Sequence, residues 1–273
     1  MKKISMRQPA LILLCLLLLE SFCLGDTLRV HFIDVGFGDA ILVELPGDKA
    51  VMVDAGERFY GKKLKEYLQK HEIQEIDKAI LTHPHKNHFG GFLEILKSCP
   101  VKNFYYNGDE RAVDEGYDEL LEQIDKKVEG APRLLQRGDV IWQDENLTWE
   151  VLSPEDFVGS TNDNSLVSVL NYGQTSIAFT ADVEPVRFNS LMKEYPQIQR
   201  ADILQIPHHG LDIARIDHQF LRNKIWIVSV KENDVSRPAL QYLSGLDLNK
   251  IITAREGDIV LESDGKNFRV VEK

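Results

Sequence analysis

Cysteine is almost missing from this chain: three occur in 273 residues, and Cys15 and Cys23 both fall within the first 25. Cys99 is then the one thiol in the rest of the chain, and a single thiol closes no internal disulfide. A disulfide-stapled scaffold is therefore excluded, and stability must come from packing, with any bound metal adding to it. Cys99 follows an apolar helical pattern and reads as a buried filler. Low-complexity linkers and convincing repeats are lacking too. Basic residues are in short supply, with 32 Lys plus Arg against 43 Asp plus Glu, a formal charge of −11. Such a field repels polyanions and argues against avid, non-specific nucleic-acid binding. A weak basic cluster, Lys62, Lys63 and Lys65, reads as a solvated helix face.

Long apolar runs are absent except at the start, where Ala10 to Leu19 is almost unbroken and Lys2, Lys3 and Arg7 precede it. Small residues around Cys23-Leu24-Gly25 follow, which completes the layout of a secretory signal peptide over residues 1–25. The run is short of the roughly 20 residues that span a bilayer; an uncleaved anchor is the other reading. Export to a periplasmic or extracellular location is expected, with no transmembrane segment in the mature chain, residues 26–273. Removing Lys2, Lys3, Arg7 and Glu20 takes away +3 and −1 from −11, leaving the mature chain near −13.

With 43% hydrophobic residues the mature chain can bury a full core. Strand patterns cover Leu28–Val35, Ala40–Leu45 and Ala50–Asp54, and helical spacing covers Tyr60–Glu72. A strand ending at Leu81, a helix through Phe92–Leu96, a strand Val101–Tyr106 and a helix Tyr117–Val128 follow. Strands then dominate: around Val140–Trp142, Leu147–Leu152, Leu166–Tyr172 and Thr175–Thr180, the last two forming a hairpin at Gly173-Gln174. A helix over Phe188–Tyr195, strands Ala201–Ile206 and Ile225–Val230, and a helix near Pro238–Leu243 lead to closing strands at Lys250–Thr253, Ile259–Glu262 and Phe268–Val271. Two halves, each strands then helices, predict a single α/β domain, a four-layer αββα sandwich.

Chemistry is concentrated in a few loops. In Thr82-His83-Pro84-His85-Lys86-Asn87-His88-Phe89-Gly90-Gly91 an apolar strand ends in three histidines within six residues. Neutral imidazole suits zinc and its neighbours. His83 and His85 can point the same way, Lys86 faces solvent, and Asn87 and His88 turn toward a second position. Gly90-Gly91 lets the next helix begin close to the loop. Asp182 ends another apolar strand, where a ligand and a helix cap are both open readings. Pro207-His208-His209-Gly210 follows a third strand, and one imidazole can ligate while the other donates a proton. We take His209 as the ligand and His208 as the acid, the reverse order remaining open. Asp163 or Asn164, in Ser160–Ser165, could approach a metal, though that composition first suggests a polar turn.

The histidine segment resembles the HxHxDH motif of the metallo-β-lactamase superfamily, with Asn87 in place of the aspartate. Phe32-Ile33-Asp34-Val35-Gly36-Phe37-Gly38-Asp39-Ala40, Val53-Asp54-Ala55-Gly56, Asn164-Ser165-Leu166-Val167, Ala181-Asp182 and His208-His209-Gly210 follow in the order of the ComEC-type competence proteins' hydrolase domain and related secreted metallo-hydrolases. The likeness runs from Leu28 to Val271. It departs at Phe37, where glutamine is usual, at Asn87, at Ala181, where glycine is usual, and at Ser236-Arg237-Pro238, where Gly-His-Pro is common.

This resemblance implies one or two divalent metal ions, zinc first and manganese second, with Asp182 bridging. His83, His85 and Asp182 would hold one and His88, His209, Asn87 and Asp182 the other. An amide at Asn87 brings only a dipole, so the second position should bind more weakly. A bound water acidified by the metal would attack a phosphoester, with Asp182 and His208 as the catalytic pair. Phosphodiesterase-like or nuclease-like hydrolysis is the implied activity, on a small-molecule or surface-polymer substrate, since the acidic charge disfavours nucleic acid. β-Lactams are disfavoured because a third histidine for the first metal is not visible. Asp34, Asp39 and Asp54 are expected to hydrogen-bond the metal loops, with plain turn formation as the other reading. A binding or scaffold protein with impaired chemistry is the alternative, because Asn87 and the missing histidine weaken each position.

Overall fold

The computed structural model describes residues 27–217, 225–230 and 249–272. The leader at 1–25, the Pro238–Leu243 helix and Ser236-Arg237-Pro238 lie outside the described residues. An eight-stranded sheet has the order β15-β14-β1-β2-β3-β4-β5-β6. Its strands are β1 (Leu28–Phe32), β2 (Ala40–Leu45), β3 (Lys49–Ala55), β4 (Ile76–Leu81), β5 (Val101–Tyr106), β6 (Arg133–Leu134), β14 (Ile259–Ser263) and β15 (Phe268–Glu272). A seven-stranded sheet, ordered β13-β12-β11-β10-β9-β8-β7, contains β7 (Val140–Gln143), β8 (Leu147–Ser153), β9 (Val167–Tyr172), β10 (Thr175–Phe179), β11 (Ile203–Gln205), β12 (Ile225–Val228) and β13 (Asn249–Ile252).

Period-two patterning makes each sheet serve two cores. Ile41, Val43 and Leu45 of β2 point between the sheets, where Trp149, Leu170, Phe179 and Ile203 meet them. Leu42 points outward to a helix layer of α1 (Gly61–Lys70), α3 (Phe92–Ser98) and α4 (Tyr117–Lys127), with α2 (Lys86–Phe89) just before α3. On the far side, Val169, Ala178, Leu204 and Trp226 pack under α5 (Pro185–Glu194) and α6 (Pro196–Arg200). The layers are therefore helix, sheet, sheet, helix, as expected from the sequence. Among the described residues no helix is long and apolar enough to cross a membrane.

Small differences have local causes. α5 starts three residues ahead of the expected Phe188, because Pro185 in the first turn forfeits no helical hydrogen bond. Strand β13 stops at Ile252, and Thr253 instead opens a helical turn, Thr253–Glu256. Two-residue β6 is too short to show a period.

Parallel pairing orients the site. β3, β4 and β5 run parallel in one sheet, and β10, β11, β12 and β13 run parallel in the other. The loops at their C-terminal ends carry Asp54, the histidine segment, Asp182 and His208-His209, so the chemistry collects at one end of the sandwich.

Candidate metal centre

Asp54, at the end of β3, is buried and fastens the first histidine loop. Its Oδ1 accepts the Thr82 amide at 2.8 Å, and its Oδ2 accepts the Thr82 hydroxyl at 2.7 Å and His88 Nδ1 at 2.8 Å. Having donated to Asp54, the Thr82 hydroxyl accepts from His83 Nδ1 at 3.1 Å. Both imidazoles then present Nε2 as a lone pair, a tautomer assigned by the network. Close approach lets the loop sit here. A Cβ on Gly91 would lie 2.0 Å from the Ala55 carbonyl, and the Gly91 amide bonds Gly56 at 3.0 Å. The expected role of the glycine pair holds.

Across the site, Gln205 Oε1 accepts the Thr180 and Ala181 amides at 3.0 and 3.2 Å, which pins the turn that delivers Asp182. Ala181 there has φ of 44°, in the left-handed region, which explains why glycine suits the position. His208 and His209 are left-handed as well, with φ of 50° and 55°, held by the His208 amide on the Ala181 carbonyl at 2.9 Å. Backbone in this region costs of order 1–3 kcal/mol per residue and persists where surroundings enforce it, as at functional sites. His209 Nδ1 donates to the Ser229 carbonyl at 2.9 Å, so its Nε2 also faces inward.

Asp182 is where these groups meet. Its Oδ2 lies 3.2 Å from His88 Nε2, 3.7 Å from His83 Nε2 and 4.0 Å from His208 Nε2, and its Oδ1 lies 3.3 Å from His209 Nε2. His85 joins through His83, Nδ1 to Nε2 at 3.0 Å. The Asn87 amide is 3.4 Å from His209 Nε2, and Lys86 is exposed, as expected. Phe37 packs against His209, ring centroids 4.5 Å apart with the planes tilted by 56°. Asp39, His88, Asp182 and His209 each bring a donor atom within 4.8 Å of the others, all four buried. Asp39 was expected to support the loops; the structure adds it to the possible ligands.

Charge in this pocket is unusually sensitive to a cation. Burial pushes the Asp182 carboxyl up, but His209 and His88 outweigh it and hold it well below the ordinary range. Burial lowers His88, yet Asp182 and Asp54 raise it well above the usual value, and His209 is raised against its burial by Asp182. Burial and the neighbouring His88 drive His83 well below, and burial also lowers His85. Among the described residues the buried Oδ1 of Asp39 has no hydrogen-bond partner, and Oδ1 of Asp182 has only the His209 Nε2 approach at 3.3 Å. Inward-facing imidazole nitrogens, an ionised carboxylate and a buried oxygen without a partner in one pocket fit a divalent ion of the zinc class.

Other flagged acids play other parts. Asp163 accepts the Ser160 and Glu184 amides, and buried Asn164 bonds Asp109, Val158 and the Ser160 carbonyl, so the turn reading holds for that segment. Asp34 does not bond the metal loops: its carboxylate takes the Gly36 amide at 3.2 Å, while Lys63 holds its carbonyl at 2.7 Å. That corrects the expected role of Asp34 to turn formation. It also corrects the solvated reading of Lys63, which pairs with Asp258 at 2.8 Å. Glu184 sits at the start of α5 and accepts from the Ser160 hydroxyl. Thr82, Gln205 and the Ser229 carbonyl were missed, because only long-range contacts reveal them.

A family model described as the Metallo-beta-lactamase superfamily matches residues 33–220. The chain belongs to the metallo-β-lactamase superfamily. Members bind one or two divalent metals and are generally hydrolases. It is similar to ComE operon protein 3 of Bacillus subtilis (strain 168), 30% identical over 87% of this chain and 33% of that one. Recombination protein 2 of Haemophilus influenzae is 29% identical over 73% of this chain and 24% of that protein. The superfamily domain here thus spans a third or less of these two relatives' lengths. A solved chain described as a new diphosphatase from the PhnP family shares the fold with a TM-score of 0.52, at 15% identity over 90% of this chain and all of that one.

Proposed function

We propose that this chain is an exported hydrolase of small or surface-polymer phosphoesters, phosphodiesters foremost. The observation that carries the reading is the position of Asp182, whose Oδ2 lies within 4.0 Å of His83, His88 and His208 and whose Oδ1 lies 3.3 Å from His209, so that imidazoles of both histidine loops reach it. One carboxylate reached from both histidine sets is what a bridge between two cation positions requires, and paired cations suit in-line displacement at phosphorus. His83, His85 and Asp182 would hold one ion; His88, His209, Asn87 and Asp182 the other, with Asp39 available to it. Zinc is the first choice and manganese the second. When bound, the ions would supply Lewis acidity and bring the pKa of a coordinated water toward neutrality. His208, with 22% of its side chain exposed, lies at the rim of the Asp182 cluster, where it can protonate a leaving oxygen. Asn162, 3.4 Å from its Nε2, steadies the ring.

The acidic charge speaks against long nucleic acids and leaves compact phosphoesters open. A diphosphatase on the same fold is in keeping with chemistry at phosphorus, although fold alone does not choose a substrate. The apolar leader in the sequence supports export. Metal analysis of the mature protein beside a phosphoester panel tests the reading. About one tightly held zinc or manganese is expected at the Asp182 centre, with bis-phosphoester cleavage slowed by His85→Ala or Asp182→Ala. Metal-free protein, inert in added zinc and manganese, would instead establish the binding-protein alternative that Asn87 favours.

A further inference from the structure

A second group of metal-ligating side chains lies away from Asp182. His31 of β1 and Glu44 of β2 project from the face of the sheet that carries α1, and His71 caps the end of that helix. One donor atom from each of the three lies within 4.8 Å of the others. His31 is fully buried, with its Nε2 2.6 Å from Glu44 Oε1 and its ring edge-on to His71 at 4.7 Å between centroids. Strand direction separates the two places. Glu44 pairs with Arg29, toward the start of β1, and His71 precedes β4, whereas the Asp182 site lies where β1 and β4 end.

We propose that His31, Glu44 and His71 form a second divalent-cation site of the zinc class, at the end of the sheet opposite the Asp182 centre. The inference goes beyond the proposed hydrolysis and does not rest on it. Two imidazoles and a carboxylate are a common zinc donor set with one position left for water. Tyr67 provides the orienting partner such a ligand needs: its hydroxyl lies 2.9 Å from His31 Nδ1 and can accept that proton, leaving Nε2 for the ion. Burial raises the Glu44 carboxyl, but His31, Arg29 and His71 together hold it below the ordinary value, so the acid is anionic at neutral pH. Donors around a tetrahedral ion stand about 3.3 Å apart given bonds near 2.0 Å. Glu44 must therefore step back from His31, and its half-buried carboxylate has room to do so. Glu44 and His71 border a cleft of about 500 Å³, through which an ion and its water can enter. Lys49 and Lys102 in that cleft are both engaged by Asp77 and add little repulsion.

The test uses the full chain, equilibrated with zinc and dialysed, with zinc per chain as the readout. A chain carrying both Asp182→Asn and His209→Ala should keep one zinc, and adding His71→Ala or Glu44→Gln should remove it. In the otherwise unaltered chain, His71→Ala or Glu44→Gln should lower zinc by one equivalent while the phosphoester rate stays the same. Zinc content in the unaltered chain indifferent to both substitutions would overturn the proposal. So would a folded Asp182→Asn, His209→Ala chain that holds no zinc.

Discussion

The side-chain amide of Asn87 lies 3.4 Å from Nε2 of His209. The residue that departs from the superfamily motif thus touches the imidazole with which it would share an ion. Its nitrogen faces the ring and can donate to a lone pair; with its oxygen turned inward it is a neutral ligand. Either way it brings no charge to a position that Asp39, His88 and Asp182 surround.

Asn87→Asp adds that charge. A unit pair about 4 Å apart is worth roughly 1–4 kcal/mol between bulk-water and near-surface dielectrics, so affinity at the second position should rise roughly tenfold or more. Metal held at the Asp182 centre should move from about one ion toward two under chelator competition. Unchanged metal content would place Asn87 outside the centre.

Asp54→Asn attacks the support beneath the ligands. It weakens the acceptor of His88 Nδ1 and of the Thr82 hydroxyl, and with it two imidazole orientations. Loss of such a partner costs about 10–100-fold in metal affinity. Competition with a chromogenic chelator reads this directly; an unaltered dissociation constant would reduce Asp54 to a turn residue.

His208→Gln separates proton donation from metal binding. The rate should fall about 10²–10⁴-fold for an alkoxide leaving group, and much less for a nitrophenolate, which departs without a proton. Metal content should not change. Loss of metal would exchange the roles of His208 and His209.

Ala181→Gly relieves a left-handed alanine. That conformation costs roughly 1–2 kcal/mol in an L-residue, and the looser unfolded chain takes back about 0.4–1 kcal/mol. Net stabilisation shifts Tm upward by about 2–4 °C per kcal/mol at this size. Calorimetry that found a lower Tm would contradict the assigned φ.

Asp109 offers a pH-dependent test away from the metal. Its buried carboxylate takes Arg111 at 2.8 Å on each oxygen and the Asn164 amide at 2.6 Å. The Arg111 hydrogen bonds hold its pKa below the ordinary range, against the pull of burial. A depressed folded-state pKa gives stability that is present above the unfolded value, near 3.9, and lost as pH falls through the folded one. Asp109→Asn should therefore cost about 1.5–3 kcal/mol at pH 7. The gap to the unaltered chain should close in acid, by urea unfolding at several pH values; a gap independent of pH would refute the ion-pair account.

Much of the architecture was legible without coordinates. Ile41, Val43 and Leu45 alternate with Leu42 and Glu44, which is enough to announce a strand with two differently used faces. His83, His85, Asn87, His88, Asp182, His208 and His209 could be picked out as candidates because each follows an apolar strand. Asp39 as a possible ligand and Lys63 as a paired cation could not, since each depends on a neighbour remote in sequence.

By itself, then, the amino-acid order determined the strands, the helices and the kinds of donor atom at their ends, because those follow from periodicity and side-chain chemistry within a few residues. Only the tertiary structure decided which donors share a carboxylate, which imidazole nitrogen faces inward, and that His31, Glu44 and His71 form a group of their own. Such facts depend on distances between segments up to a hundred residues or more apart, such as His88 and Asp182 at 3.2 Å, and local pattern holds no record of them.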